Sequence, residues 1–461
     1  MTPGINPAIF RESDIRGVVG TDLTPETVES IGRAIGTFLR RNKGRTITLA
    51  WDIRPSSPGY RDILAHALQS CGCDVIEVGQ IPSPVSYFAQ HHFDSDGGVI
   101  VTASHNPASF NGFKVSLGRE CLLGPEIQTL RRIAEDGDFI NTGGGSIKTV
   151  DVIEPYTAHL QDSLALSRPV KVVVDGGNGC FGIVGPRVLR NLGLQPIELY
   201  TEPDGSFPNH HPDPTLPENL VDLIARVKEE GAELGIGFDG DMDRIGVVDE
   251  NGDIVWGDQL MILFARDLLT RHPGSAILGE VKCSQSLFDE INKQGGRAEM
   301  TAVGHSLIKK RMKETGALLA GEMSGHIFFA DEYFGFDDAL YAACRLLRIL
   351  ADSPLPLSKM LGGLPETATT PEIRIDCPDE TKFTVVENLR RHLSSRYELV
   401  DIDGVRVNFG DGWALVRASN TQPALTLRFE AQTGERLLEI RRLVEETLAR
   451  FLPPAAVSQE N

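Results

Sequence analysis

Three stretches of this chain repeat one pattern of strand, helix and strand, and no other feature restricts its possible folds so tightly. The copies run 46–52, 60–70 and 74–78, then 170–175, 185–192 and 195–199, then 276–281, 286–293 and 297–302. Each continues through another helix into a further short apolar strand, at 99–101, 234–238 or 318–320. Strands alternating with helices predict mixed, largely parallel sheets, because a parallel neighbour needs a crossover and a helix supplies it. Ligands then bind outside the carboxyl ends of the strands. A polar motif follows each of the last strands: Thr102-Ala103-Ser104-His105-Asn106-Pro107, Asp239-Gly240-Asp241-Met242-Asp243-Arg244 and Gly321-Glu322-Met323-Ser324-Gly325-His326. Three related units would thus offer three edges of a central cleft.

At 461 residues the chain exceeds what one hydrophobic core can serve. The pattern divides it into α/β units 1–149, 150–252 and 253–366, followed by a smaller α+β unit 367–461. Asn141-Thr142-Gly143-Gly144-Gly145-Ser146 reads as a flexible turn near the first boundary, and threonine and proline cluster at 365–371 near the third. The last unit breaks the repeat, with helices over 384–394 and 435–451 and strands near 372–375, 405–408, 413–416 and 425–430. Between the last two strands lies Arg417-Ala418-Ser419-Asn420-Thr421. At the other end a helix is expected over 25–41, with Thr24 as N-cap before Pro25. Arg16 precedes a glycine and, taken alone, reads as a surface arginine.

A formal net charge of -19 argues against nucleic acid or an anionic membrane as principal partner, though a local basic pocket for phosphate remains compatible with it. No run reaches the length of a membrane span, and residues 1–6 lack the basic and apolar blocks of a signal peptide, so the expectation is a cytoplasmic protein. Seven scattered cysteines form neither a disulfide framework nor a zinc site and read as reduced thiols.

Ser104, delivered at the end of a buried strand, is a candidate nucleophile without a Gly-x-Ser-x-Gly elbow, and on an extended backbone His105 would point to the opposite side. Asp239, Asp241 and Asp243 place three hard oxygen ligands within five residues, and their mutual repulsion calls for a cation. An EF-hand would put Glu250 at its twelfth place, but Arg244 stands at the sixth, where the loop needs glycine, and both flanks read as strands. Phosphotransferases of the haloacid-dehalogenase type, with Asp239 as nucleophile, are a competing class, but that reading leaves Ser104 idle. The Arg417 stretch mixes a bidentate donor with small hydroxyl and amide groups, which suits a phosphate dianion.

These four loops, in this order, resemble those of the α-D-phosphohexomutases, most closely the bacterial phosphomannomutase/phosphoglucomutase branch, and the resemblance covers nearly the whole chain. It implies four domains around a cleft, a phosphorylated Ser104, and one Mg2+ held by that phosphate with Asp239, Asp241 and Asp243. It further implies that Arg16, His105, Lys114, Arg244, Lys282 and His305 surround the transferring phosphoryl group or the reacting hydroxyl, with Lys114 and His305 as candidates for proton transfer. Glu322, Ser324 and His326 would meet the sugar, and Arg417, Ser419, Asn420 and Thr421 the phosphate that stays in place. The implied reaction exchanges hexose 1-phosphate and hexose 6-phosphate, of mannose or glucose, through a hexose 1,6-bisphosphate that is both intermediate and activator. Two positions depart from the family pattern: Ser13, where a tyrosine is common, and Met242, where a smaller residue is common. Met242 is expected to point away from the ion. Hexose phosphates are the expected partners, and the chain is expected to act as a monomer or weak oligomer. An Asp239-dependent sugar phosphatase and a non-catalytic sugar-phosphate binding protein are the alternatives.

Overall fold

Apolar strands alternating with amphipathic helices build three mixed sheets and one antiparallel sheet in the computed structural model, which describes residues 4–419 and 423–453. In the first sheet, Gly97–Val101, Thr46–Trp51, Asp74–Gln80 and Ile147–Thr149 pair in parallel. Phe110–Leu117 and Ile15–Val18 extend it antiparallel, and Glu120–Cys121 pairs with Phe110–Leu117. In the second sheet Ile197–Leu199, Val172–Asp175 and Leu234–Phe238 run parallel, and Ile245–Asp249 and Ile254–Val255 run antiparallel. The third contains Arg297–Thr301, Ala276–Glu280 and Leu319–Gly321 in parallel, closed by antiparallel Ile327–Phe329.

The antiparallel share is larger than the repeat suggested, and its cause is the motifs themselves. Each is the connection of a hairpin, so the strand that delivers it pairs with the strand that follows it, with Val101 opposite Phe113, Phe238 opposite Ile245 and Gly321 opposite Ile327. The chain leaves each sheet at a carboxyl end, makes the motif, and returns beside itself.

Helix Pro25–Arg41 begins as expected, with the Thr24 side chain accepting from the Thr27 amide at 3.3 Å. Two others start earlier than the pattern implied, at Ser57–Ser70 and Phe181–Asn191, because Pro58-Gly59 and Gly182 resemble turns yet fit a first helical turn. The glycine run 141–146, read as a flexible turn, is instead fastened along the first unit. Gly143 N donates to Ser70 O at 3.0 Å, and Ser146 N and Oγ donate to Asp74 Oδ1 at 2.9 and 2.7 Å. A Cβ on Gly145 would lie 2.1 Å from the Cys73 carbonyl, so glycine serves close approach there, not mobility.

One apolar cluster runs through the first three sheets, joining Ile100, Tyr156, Val174, Phe181, Phe238, Phe264 and Phe329, so these units share a core and hold their motifs in fixed relation. The last sheet is wholly antiparallel and carries helices Asp379–Leu393 and Gly434–Leu448. It docks on the third unit through Val281, Trp413 and Leu415. There the Arg406 guanidinium lies 3.8 Å from the Trp413 ring centre and donates to the carbonyls of Val281 and Cys283 at 2.7 and 2.8 Å. All seven cysteines are free thiols, and among the described residues no helix is long and apolar enough to cross a membrane.

Candidate active site

Strand Gly97–Val101 is buried along its whole length and ends where Thr102 N donates to Gly112 O at 3.0 Å. Beyond it Ser104, 4% exposed, takes φ +50°, a left-handed conformation rare for a residue with a side chain. Its amide donates to Thr102 Oγ1 at 3.0 Å, and its Oγ donates to Asp239 Oδ2 at 2.7 Å. The left-handed turn also corrects the expectation for His105, which does not point away. Its Nδ1 lies 3.1 Å from Ser104 Oγ, because the alternation of side chains holds only while the backbone stays extended.

The aspartates sit in the turn after Leu234–Phe238. Asp239 Oδ1 accepts from the amides of Asp243 and Arg244 at 2.9 and 3.1 Å, which closes the turn. Met242, at φ +64°, buries its side chain in the shared core, away from the carboxylates. Oxygens of Asp239, Asp241 and Asp243 lie within 4.8 Å of one another. Asp241 Oδ1 and Asp243 Oδ1 are buried with no hydrogen-bond donor, as vacant acceptors for a hard cation would be. Burial, then repulsion from Asp243 and Asp241, pushes the Asp239 carboxyl well above the usual range. The donor set fits a divalent metal ion.

Lys114 enters from strand Phe110–Leu117 and is 5% exposed. Its Nζ donates to Asp241 Oδ2 at 2.7 Å and Asp243 Oδ2 at 2.5 Å. Burial opposes its charge, but Asp241 and Asp243 outweigh burial and raise its pKa above the ordinary value. Arg16 is part-buried and engaged, not the free surface arginine of its reading in isolation: it donates to Asn106 Oδ1 at 2.7 Å and Asp14 Oδ2 at 2.5 Å.

The third motif is locked to the second, since a Cβ on Gly325 would lie 2.2 Å from the Ile245 carbonyl and Ile245 N donates to Gly325 O at 3.1 Å. Glu322 Oε1 accepts from Gly304 N at 2.7 Å, and Ser324 Oγ donates to Glu322 Oε2 at 3.4 Å. Arg244 Nε donates to His326 Nε2 at 3.0 Å, which leaves the ring proton on Nδ1, 3.1 Å from Asp337 Oδ2. His305, first residue of helix His305–Thr315, stacks on His326 with ring centres 5.6 Å apart. Burial, then the Lys309 charge, holds His305 neutral, and burial with Arg244 does the same for His105.

Lys282 and Arg417 belong to a second group, where the last sheet meets the third unit. Lys282 Nζ donates to Glu372 Oε2 at 3.2 Å. Arg417 is not in a turn, as the sequence suggested: strand Gly412–Ala418 extends through it, because its backbone pairs with Thr426. Its Nε and Nη2 each lie 3.1 Å from Asp403 Oδ2, which also accepts from Val303 N at 3.0 Å. Ser419 N donates to Ala424 O at 2.9 Å, whereas Asn420 and Thr421 lie outside the described residues.

Several contributors escaped sequence reasoning. Asp52 and Ser83 follow the carboxyl ends of Thr46–Trp51 and Asp74–Gln80, so the rule that singled out Ser104 would have found them. Ser83 Oγ donates to Asp241 Oδ2 at 2.6 Å. Asp337 and Asp403 carry no local signal, because their partners are distant in sequence.

With this geometry in view, comparison with known proteins is informative. The chain matches four domain families described as phosphoglucomutase/phosphomannomutase: alpha/beta/alpha domain I over residues 7–141, domain II over 154–252, domain III over 256–368 and the C-terminal domain over 372–447. It is 47% identical over 447 residues to a phosphomannomutase/phosphoglucomutase of Pseudomonas aeruginosa, covering 97% of this chain and 96% of the relative. It is 44% identical over 429 residues to a phosphoglucomutase of Neisseria gonorrhoeae, covering 92% and 93%. A crystal structure of a phosphoglucomutase/phosphomannomutase family protein from Burkholderia thailandensis superposes with a TM-score of 0.92 at 42% identity, covering 99% of both chains.

Proposed function

Because this chain belongs to the phosphoglucomutase/phosphomannomutase family and is a hexose-phosphate mutase, we propose that Ser104 is the group that carries the phosphoryl between C1 and C6 of the sugar. The observation that supports this most directly is the Ser104 hydroxyl 2.7 Å from Asp239, inside a buried carboxylate group that also holds Lys114. Phosphoserine gives its phosphoryl group to the free hydroxyl of a hexose monophosphate, whose proton leaves as the new P–O bond forms and the bond to Ser104 Oγ breaks. The resulting 1,6-bisphosphate turns in the cleft and returns its other phosphate to Ser104. Free hexose 1,6-bisphosphate would recharge a dephosphorylated enzyme, hence its role as activator.

Transfer of this kind needs alignment and charge neutralisation more than covalent assistance. One Mg2+ per chain, held by Asp239, Asp241, Asp243 and a phosphoryl oxygen on Ser104, would neutralise charge on the transferring group. Lys114, whose Nζ lies between Asp241 and Asp243, and His305, stacked on His326, are the groups we assign to proton transfer. Arg16, His105 and Arg244 would supply further donors around the transferring phosphoryl group, and Lys282, where the last sheet meets the third unit, would face the reacting hydroxyl. Mannose and glucose phosphates are the substrates we assign. The four matched domains correspond on this reading to divisions after residues 149, 252 and 366, in a monomeric or weakly associating cytoplasmic enzyme.

Glu322 and Ser324 would clamp vicinal sugar hydroxyls in either orientation, with His326 beside them. Glu322→Ala should therefore keep its phosphoserine, seen by intact mass, yet bind glucose 1-phosphate about tenfold or more weakly in calorimetry. Wild-type affinity would remove the clamp from the scheme.

Arg417 and Ser419, with Asn420 and Thr421, would hold the phosphate that is not being transferred. Arg417→Ala should raise KM at least about tenfold while Ser104 stays phosphorylated, because a bidentate charged contact is lost from the ground state and the transition state alike. A lowered kcat at unchanged KM would contradict that assignment.

The whole reading is tested by mapping the phosphate that the purified enzyme retains. It should lie on Ser104, and turnover of glucose 1-phosphate and mannose 1-phosphate should discharge and restore it. An acid-labile acyl phosphate on Asp239 would replace this scheme with phosphatase chemistry.

A further inference from the structure

Arg54 stands outside the reacting group, two residues beyond Asp52, yet its guanidinium is fully buried and both of its terminal nitrogens are spent on one loop. Nη2 donates to the carbonyls of Ser104 and Asn106 at 2.7 and 2.6 Å, and Nη1 to those of Pro107 and Phe110 at 2.7 and 3.1 Å. Nε donates to Asp52 Oδ2 at 3.1 Å, and Asp52 Oδ1 is fixed by Ser57 Oγ at 2.5 Å. Five N–H donors thus meet five acceptors, four of them backbone carbonyls of the loop that presents Ser104. Carbonyl dipoles converging on one point repel each other unless a cation sits there.

We infer that Arg54 is the positioning residue for Ser104: by gripping the loop's carbonyls it holds Ser104 at φ +50° and thereby aims Oγ at the aspartates. Without that grip a serine relaxes toward negative φ, and the side chain swings with the backbone. The gripped Ser104 carbonyl also abuts the metal-binding turn, since a Cβ on Gly240 would lie 2.5 Å from it. One guanidinium therefore sets the loop against its partner turn. Lysine cannot substitute, because an ammonium has three donors and no planar fork, leaving part of the carbonyl set unmet.

The inference rests on Ser104 as phosphoryl carrier, and the experiment separates the two ideas. Arg54→Lys and Arg54→Ala are compared with wild type in single-turnover transfer of labelled phosphate from glucose 1,6-bisphosphate to Ser104, located by peptide mapping, alongside kcat, KM and melting. In Arg54→Lys the transfer rate and kcat should fall together by about a hundredfold, as expected for a misplacement near 1 Å, with KM within about threefold of wild type. Added methylguanidinium should restore part of the rate to Arg54→Ala, a response that loss of general stability would not give. Label on Ser104 at an unchanged rate in a folded variant overturns the proposal alone. Loss of cooperative melting in both variants, or equal deterioration of KM and kcat without rescue, makes Arg54 a folding residue and overturns it too. Absence of label on wild-type Ser104 removes the carrier reading, and the proposal with it.

Discussion

Ser104→Ala is expected to lose at least about a thousandfold in turnover, since the carrier atom itself is gone and no neighbouring hydroxyl can take its place in line. Thr102 is the nearest candidate, but its Oγ1 is committed to the Ser104 amide at 3.0 Å and to Asp241 Oδ2 at 3.2 Å. The fold should survive. Alanine keeps Cβ and tolerates φ +50° no worse than serine, and the lost hydroxyl bond to Asp239 is worth roughly 1 kcal/mol. Binding should also survive, because on the proposed reading Glu322 and Arg417 would hold the sugar phosphate elsewhere. The decisive measurements are a coupled assay with glucose 1-phosphate, intact mass and a thermal melt. Activity within about tenfold of wild type in a protein melting normally would refute the carrier role.

Asp241→Asn is expected to lower apparent Mg2+ affinity and kcat each by about a hundredfold, through removal of one formal charge from a site of three carboxylates. The position is sensitive because Asp241 Oδ2 already accepts from Ser83, Thr102 and Lys114, at 2.6, 3.2 and 2.7 Å, which leaves Oδ1 as its free acceptor. An amide nitrogen in either place would meet a donor or the cation itself. Stability gives a second readout. A ligand at a hundred times its dissociation constant adds about 2.7 kcal/mol to the wild type, so Mg2+ should raise the wild-type Tm clearly and the variant Tm little at the same concentration. Without metal the variant gains relief of repulsion among Asp239, Asp241 and Asp243 but loses the charge facing Lys114, so the readout is the rise in Tm that Mg2+ produces within each protein. Identical metal dependence of rate and Tm in the two proteins would count against the assignment.

The sequence by itself determined the three-fold repeat, the placement of a polar motif at the carboxyl end of a strand in each copy, and the grouping of three carboxylates in one short turn. Those features are local: periodicity records which face is buried, and three carboxylates in five residues carry their need for a cation wherever they are placed. The backbone angle at Ser104 was not legible, because φ +50° is imposed by Arg54, fifty positions away, and nothing in Thr102 to Pro107 announces it. His105 faces the site, and not away from it, for the same reason. Ser83 and Lys114 reach Asp241 across 158 and 127 positions, and Asp337 meets His326 where the returning chain of the third unit bridges to Phe328. Arg417 suits a phosphate dianion by residue type, but its pairing with Asp403 follows from the folding of the last sheet, and the bond from Val303 to Asp403 arises where two units dock. Short windows of sequence encode what each segment must bury and bond. Which distant group supplies the bond was decided by packing alone, since a buried carboxylate, carbonyl or guanidinium takes the partner that the fold brings within 3 Å.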